Sequence, residues 1–143
     1  MSVKKISHVG VAVPNIEEYI KVFSDTLGMN FQGVEEVAEQ KVKVAFLQVG
    51  ESRIELLEPT SEDSPVHKYL NSNDNKPKFH HIAFEVDDLQ EALDRAKADG
   101  LKLIDETPRR GAGGAQIAFL HPKSTAGVLT ELCSHTHDEQ LHK

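Results

Sequence analysis

The sequence predicts an α+β protein built from two tandem βαβββ modules, whose strands form a curved mixed sheet. Three observations lead to this prediction. The segment that begins at His8 resembles the segment that begins at His81, an offset of 73 residues (81 − 8). Each segment passes from an alternating, β-branched strand pattern into an amphipathic helix pattern. The 143 residues include 38% hydrophobic and 27% charged side chains, which is typical of a globular chain.

The repeat extends along most of the chain. Residues 8–16 (HVGVAVPNI) align with residues 81–89 (HIAFEVDDL), and residues 46–47 align with residues 119–120 at the same offset. We therefore expect a single domain over residues 1–143, divided into module one at about 5–58, a linker at about 59–78, module two at about 79–133 and a tail at 134–143.

Module one begins with a strand pattern and continues into a capped helix. Residues 6–13 alternate and are rich in β-branched side chains, which favours a strand. Asn15 followed by Glu18 has the spacing of a helix capping box, and Gly28 is placed to end that helix. Two later strands of this module are predicted at residues 42–49 and 53–57.

Module two repeats this order. Asp88 and Glu91 have the same capping spacing, and Gly100 is placed to end the second helix. After this helix, strands are predicted at residues 102–104, 116–120 and 128–133. In the linker, a short helix is predicted at residues 65–70.

Charge and composition exclude several classes of function. The net charge of −7 argues against a nucleic-acid surface or an anionic membrane as partner. The longest apolar run is too short for a transmembrane helix or a signal peptide. Cys133 is the one cysteine, which excludes a disulfide framework and fits a reducing compartment. We therefore expect a cytoplasmic protein that binds neither nucleic acid nor membrane.

Two histidines and two glutamates occupy equivalent positions in the two modules. Strand alternation places His8 and His81 on the face opposite the apolar residues of their strands. Glu55 and Glu131 interrupt apolar runs, where a buried carboxylate needs a partner. Each residue taken alone is more simply a packing or surface residue. Because all four are repeat-equivalent, a pseudo-twofold arrangement would bring them together, and the set suits Co²⁺, Zn²⁺, Mn²⁺ or Ni²⁺.

These segments resemble the vicinal oxygen chelate superfamily, also called the glyoxalase/bleomycin-resistance fold, and within it the methylmalonyl-CoA epimerase family. The likeness covers residues 5–133, and the segments that carry it are HVGVAV from His8, ELLEPTSEDSP from Glu55, HHIAFEVDD from His80, GAGGA from Gly111, FLHPKS from Phe119 and GVLTE from Gly127. The resemblance implies a homodimeric isomerase that interconverts (R)- and (S)-methylmalonyl-CoA through an enolate formed at C2.

The resemblance also implies that Glu131 is both a metal ligand and a base. Some family members carry a second glutamate where this sequence has Val44, and some have glutamine where it has Glu55. We infer that Glu55 supplies the second base, with a water molecule or the region of Glu39 as alternatives. A set with two glutamates is also similar to glyoxalase I, so a glyoxalase-I-like lactoylglutathione lyase is the alternative function.

An acyl-CoA substrate needs cationic and amide contacts. Arg109, Arg110 and Lys123 flank a glycine-rich loop at residues 111–114, whose backbone amides could approach a phosphate. The alternative is that these three side chains are simply solvated at the ends of loops. A further alternative for the whole chain is a ligand-sequestering protein of the bleomycin-resistance type, against which the four candidate metal ligands count.

Overall fold

The computed structural model describes residues 2–135. Met1 and residues 136–143 lie outside the described part, so the predicted tail is represented there by Ser134 and His135 alone. In the part that the structure describes, every helix is too short or too polar to cross a membrane.

Within residues 2–135, strands and helices follow the order βαβββ twice, with a helix in the linker. Their bounds are β1 (Val3–Ala12), α1 (Ile16–Ile20), β2 (Asn30–Val37), β3 (Val42–Val49), β4 (Ser52–Pro59), α2 (Pro65–Asn71), β5 (Lys78–Val86), α3 (Leu89–Ala98), β6 (Arg109–Arg110), β7 (Gln116–Leu120) and β8 (Thr130–Ser134). A π-helical segment, Lys21–Thr26, continues α1. The prediction of an α+β protein with two βαβββ modules and a mixed sheet is confirmed.

The chain divides into two compact units. One is His8–His80, with strand order β2-β3-β4-β1, in which β1 runs parallel to β4 and the other neighbours are antiparallel. The described part of the other is residues 2–7 and 81–135, with strand order β5-β8-β7-β6, in which β5 runs parallel to β8. The assignment of all 143 residues to a single domain stays a prediction.

The helices begin where the sequence predicts. The side chain of Asn15 accepts hydrogen bonds from the backbone N–H groups of Glu17 and Glu18, at 2.8 and 3.4 Å. Asp88 accepts one from the backbone N–H of Glu91, at 3.0 Å. These contacts satisfy N–H groups that the first turn of a helix leaves without a partner.

Each helix covers the apolar face of the strands in its own unit. Behind α1 the buried side chains are Val13, Ile16, Ala45, Leu47 and Leu56. Behind α3 the buried side chains are Val86, Leu89, Ala92, Leu93, Ala118, Leu120 and Leu132. Because successive strand residues point to opposite faces, this packing leaves the other face of β1, β4, β5 and β8 for chemistry.

The prediction of a strand at residues 102–104 is wrong. Leu103 forms one isolated bridge with Leu120, and the strand that pairs with β7 on the edge opposite β8 is the later Arg109–Arg110. Ile104 and Asp105 both donate their backbone N–H to the carbonyl oxygen of Phe119, at 3.0 and 3.1 Å. A regular ladder needs a separate acceptor for each such donor, so the pairing with β7 is interrupted here and resumes at Arg109.

Candidate metal centre and active site

Strand register in the first unit places four side chains on one face, those of His8, Phe46, Arg53 and Glu55. Gly10 of β1 lies opposite Glu55 of β4, and His8 lies opposite Arg53. Phe46 of β3 faces Glu55 from the other side. Glycine at position 10 places no side chain beside Glu55.

His8 and Glu55 form a buried pair. The Nδ1 atom of His8 lies 3.4 Å from Oε2 of Glu55, and the two residues are 5% and 3% exposed. A carboxylate removed from water at this depth is costly unless other groups interact with it. In this unit, the imidazole of His8 is one group that interacts with the Glu55 carboxylate.

Arg53 is the second group on Glu55, and the sequence reasoning missed it. Its Nη2 donates to Oε2 of Glu55 at 2.9 Å, and its guanidinium lies 5.0 Å above the ring centroid of Phe46. The signal was present, because residues two apart on a strand share a face. The pattern alone did not indicate this contact, because an arginine near the end of a strand is usually exposed to solvent.

The second unit repeats the histidine–glutamate pair. Ala83 of β5 lies opposite Glu131 of β8, in the register that Gly10 has with Glu55. The Nε2 atom of His81 lies 3.4 Å from Oε1 of Glu131, and the two residues are 4% and 3% exposed. Phe119 of β7 faces Glu131, and its ring meets the His81 ring edge-on at 5.6 Å.

The donor set fits a divalent first-row metal ion. Buried donors of this kind lie in both units, His8 in the first and His81 with Glu131 in the second. Two imidazoles and a carboxylate are borderline-hard donors that suit zinc, cobalt, manganese or nickel. In the first unit, the Oε2 atom of Glu55 is engaged by Arg53 and His8.

The three cations predicted to bind coenzyme A lie on the exposed surface of the second unit. Arg110 and Lys123 are exposed, and Arg109 is nearly half-exposed. The Arg109 Nε atom lies 3.3 Å from Oδ2 of Asp105, and its guanidinium lies 5.4 Å from the ring centroid of Phe119. Arg109 is therefore oriented by its own unit before any ligand binds.

The first glycine of the predicted phosphate loop has a packing role. A side chain at Gly111 would approach Ile117 to 2.7 Å, which is closer than carbon atoms in proteins tolerate. The N–H of Gly111 donates to the carbonyl oxygen of Ala115 at 2.9 Å. Packing therefore accounts for glycine at position 111.

The alternative positions for a second base differ in their surroundings. Val44 is buried on β3, with Leu57 of β4 as its register partner, so it lies on the same face as Glu55 and is apolar. Glu39 is exposed in a 3₁₀ turn, Ala38–Gln40. Among these positions, Glu55 alone combines a carboxylate with burial on the face of His8.

Three other side chains with ligating or nucleophilic chemistry, His80, His121 and Cys133, make packing or backbone contacts. His80 packs edge-on against the Tyr69 ring, with centroids 4.9 Å apart. The Nδ1 atom of His121 accepts the backbone N–H of Lys123 at 3.0 Å and so begins a 3₁₀ turn. Cys133 is fully buried, and its thiol lies 3.6 Å from the Phe84 carbonyl oxygen. His137 and His142 lie outside the described residues.

Two βαβββ modules with a buried histidine–glutamate pair in each define a recognisable class of protein. The family model described as the Glyoxalase/Bleomycin resistance protein/Dioxygenase superfamily matches residues 7–119. The chain belongs to this superfamily.

Within it, the similarity extends to methylmalonyl-CoA epimerases. The mitochondrial methylmalonyl-CoA epimerase of Dictyostelium discoideum is 36% identical over 92% of this chain and 79% of its own length. An uncharacterized protein of Bacillus subtilis, YqjC, is 42% identical over 94% of this chain and 95% of its own length. The methylmalonyl-CoA epimerase of Streptomyces coelicolor, solved with 2-nitronate-propionyl-CoA, superposes with a TM-score of 0.86 at 37% identity, covering 93% of this chain and 95% of that one.

Similarity to glyoxalase I is weaker. A lactoylglutathione lyase of Neisseria meningitidis is 26% identical over 81% of this chain and 81% of its own length. The glutamate at both repeat-equivalent positions therefore occurs in a chain whose overall sequence is more similar to the epimerases.

Proposed function

We propose that this protein is a metal-dependent methylmalonyl-CoA epimerase, which interconverts the (R) and (S) forms through an enolate formed at C2. The observation that carries the proposal is the pair of buried histidine–glutamate contacts at equivalent positions of the two modules. Its support is the similarity to epimerases over nine-tenths of the chain.

The proposed metal ligands are His8, Glu55, His81 and Glu131, and the proposed ion is Co²⁺, Zn²⁺, Mn²⁺ or Ni²⁺. Such an ion acts as a Lewis acid, and when bound it would stabilise the negative charge that develops on the thioester oxygen. The chain supplies two imidazoles and two carboxylates, one of each from either module. Support comes from the burial of all four residues.

The proposed proton carriers are Glu131 and Glu55. Epimerisation removes the C2 proton from one face and returns a proton to the other, so it needs a group on each face. The two glutamates belong to equivalent strands of the two modules, β8 and β4. A pseudo-twofold relation would direct them at a bound C2 atom from opposite sides.

The proposed contacts with coenzyme A are the side chains of Arg109, Arg110 and Lys123. A guanidinium group recognises phosphate with two parallel hydrogen bonds, and a lysine acts as a point charge. Because the whole chain carries a net charge of −7, binding of the anionic coenzyme needs such a local cluster.

We also propose that the protein is a cytoplasmic homodimer. A single buried cysteine is consistent with a reducing compartment, and the dimer follows from the family resemblance. Light scattering coupled to size exclusion measures the subunit number directly.

The test of this function is solvent exchange at C2. The purified protein, loaded with Co²⁺, is mixed with (S)-methylmalonyl-CoA in D₂O, and proton NMR follows loss of the C2 proton while chiral separation follows the (R) epimer. An epimerase forms the (R) epimer and incorporates deuterium at C2. The hemithioacetal of methylglyoxal and glutathione is the comparison substrate, and turnover of it alone would identify a lactoylglutathione lyase instead.

A further inference from the structure

The two modules differ in the residue that precedes each glutamate by two positions. Arg53 stands before Glu55, whereas Leu129 stands before Glu131 at the equivalent place. Both positions lie on the face that carries the glutamate, because residues two apart on a strand point the same way. Only the first module therefore has a built-in positive charge at this position.

The contacts of Arg53 are those of a side chain fixed on Glu55. Its Nη2 atom donates to Glu55 Oε2 at 2.9 Å, its guanidinium lies on the Phe46 ring, and its side chain is 20% exposed. Its Nε atom is buried and makes no hydrogen bond to any residue between 2 and 135. A surface ion pair would not account for this degree of burial.

The second module has a comparable arginine that is directed elsewhere. Arg109 lies over Phe119 as Arg53 lies over Phe46, and both phenylalanines face a candidate ligand glutamate. However, the Nε atom of Arg109 donates a hydrogen bond to Oδ2 of Asp105. An arginine stacked on the facing phenylalanine is thus common to both modules, whereas the direct bond from Arg53 to Glu55 is a feature of the first.

We propose that Arg53 is a positioning residue that offsets the charge of Glu55, so that a site with two glutamates accepts an anionic, malonyl-type substrate. The inference rests on the function proposed above. A divalent ion with two carboxylates and two neutral imidazoles has no net charge, so it attracts the substrate carboxylate less strongly than a site with one carboxylate does. Arg53 restores one positive charge on the Glu55 side of the site, within a few ångströms of the ligands.

Removal of Arg53 has three expected consequences. In Arg53→Leu, which installs the residue found at the equivalent position of module two, the KM for methylmalonyl-CoA rises about tenfold or more while kcat changes less. The apo protein melts several degrees lower, because Glu55 stays buried without its guanidinium. The affinity for Co²⁺ alone, measured by calorimetry, stays the same or increases, because a neighbouring positive charge has been removed.

The double variant Arg53→Leu/Glu55→Gln is the decisive comparison. It removes both charges, so the melting temperature of the apo protein and the KM return to near the values of the parent protein. Its kcat stays at the level of Glu55→Gln alone. Because it contains no uncompensated buried charge, it remains measurable even where Arg53→Leu folds poorly.

A matched control is Arg95→Leu. Arg95 forms an exposed ion pair with Asp99 on α3, with an Nε–Oδ2 distance of 3.0 Å. The same chemical change there should alter neither KM nor Co²⁺ affinity.

Two results would overturn the proposal. One is an unchanged KM in Arg53→Leu, or a double variant whose KM stays high. The other is a loss of Co²⁺ affinity in Arg53→Leu, which would show that Arg53 only holds Glu55 in shape for the metal. If the parent protein does not epimerise methylmalonyl-CoA, the proposed function fails, whereas the Co²⁺ affinity and apo stability still report on Arg53.

Discussion

At the scale of single residues, the neighbours His80 and His81 show how strand alternation separates structural from chemical roles. His81 is buried beside Glu131, whereas His80 packs on Tyr69. The two side chains have the same chemistry and differ in the face of β5 to which they belong.

This difference makes the pair a matched test of the metal site. His81→Ala, like His8→Ala, should abolish Co²⁺ binding and epimerisation, because each removes one ligand from an otherwise apolar face. His80→Ala should retain both. Circular dichroism checks the fold, and metal analysis after desalting checks binding. Full activity of metal-free His81→Ala would contradict the proposed site.

The proposed roles of Glu131 and Glu55 as bases are tested by replacing each carboxylate with the isosteric amide. Glu131→Gln and Glu55→Gln keep an oxygen donor, so we expect the metal to remain bound in both. Each variant should lose about 10²–10⁴-fold in turnover, the usual contribution of a general base. Each should still exchange the C2 proton of one substrate epimer with D₂O, and only one. If Glu55→Gln epimerises at near the parent rate, Glu55 is a ligand alone and the second base is another group.

At the scale of elements, two short helices hold the strands that carry the ligands. Both begin at a side-chain cap, Asn15 for α1 and Asp88 for α3. Each helix covers the apolar face of its own unit, so a weakened cap reduces stability without altering the chemistry on the opposite face.

Asn15→Ala and Asp88→Ala should therefore each lower the free energy of unfolding by about 1 kcal/mol. The caps lie in different units, so the double variant should show roughly the sum of the two effects. Urea unfolding measures both quantities. Asp94→Ala, an exposed change within α3, is the control and should stay within about 0.5 kcal/mol of the parent. Loss of epimerase activity in a folded cap variant would contradict the separation of packing from chemistry.

At the scale of the whole molecule, bound metal should stabilise the folded state by mass action. A ligand at 100 times its dissociation constant adds about 2.7 kcal/mol. For a chain of this size, that corresponds to a rise of about 5–10 °C in melting temperature. We expect this rise when Co²⁺ is added to the chelator-treated protein, measured by calorimetry. His81→Ala should show no rise, and an equal rise there would place the metal elsewhere.

The sequence by itself determined the repeat, the faces of the strands and the starts of the helices. Alternation along β1 and β5 is a local property. It therefore placed His8, and likewise His81, on the same face of its own strand as small residues. The caps at Asn15 and Asp88 depend on contacts within three residues, and they were predicted correctly for that reason.

The tertiary structure alone decided which groups those residues meet. The bond from Arg53 to Glu55, the position of Arg109 over Phe119 and the interruption of strand pairing at Asp105 depend on side-chain conformations and on contacts between separate strands. A sequence pattern fixes the face of a side chain but not its conformation or its cross-strand neighbour, because both are set by packing between segments that are distant along the chain.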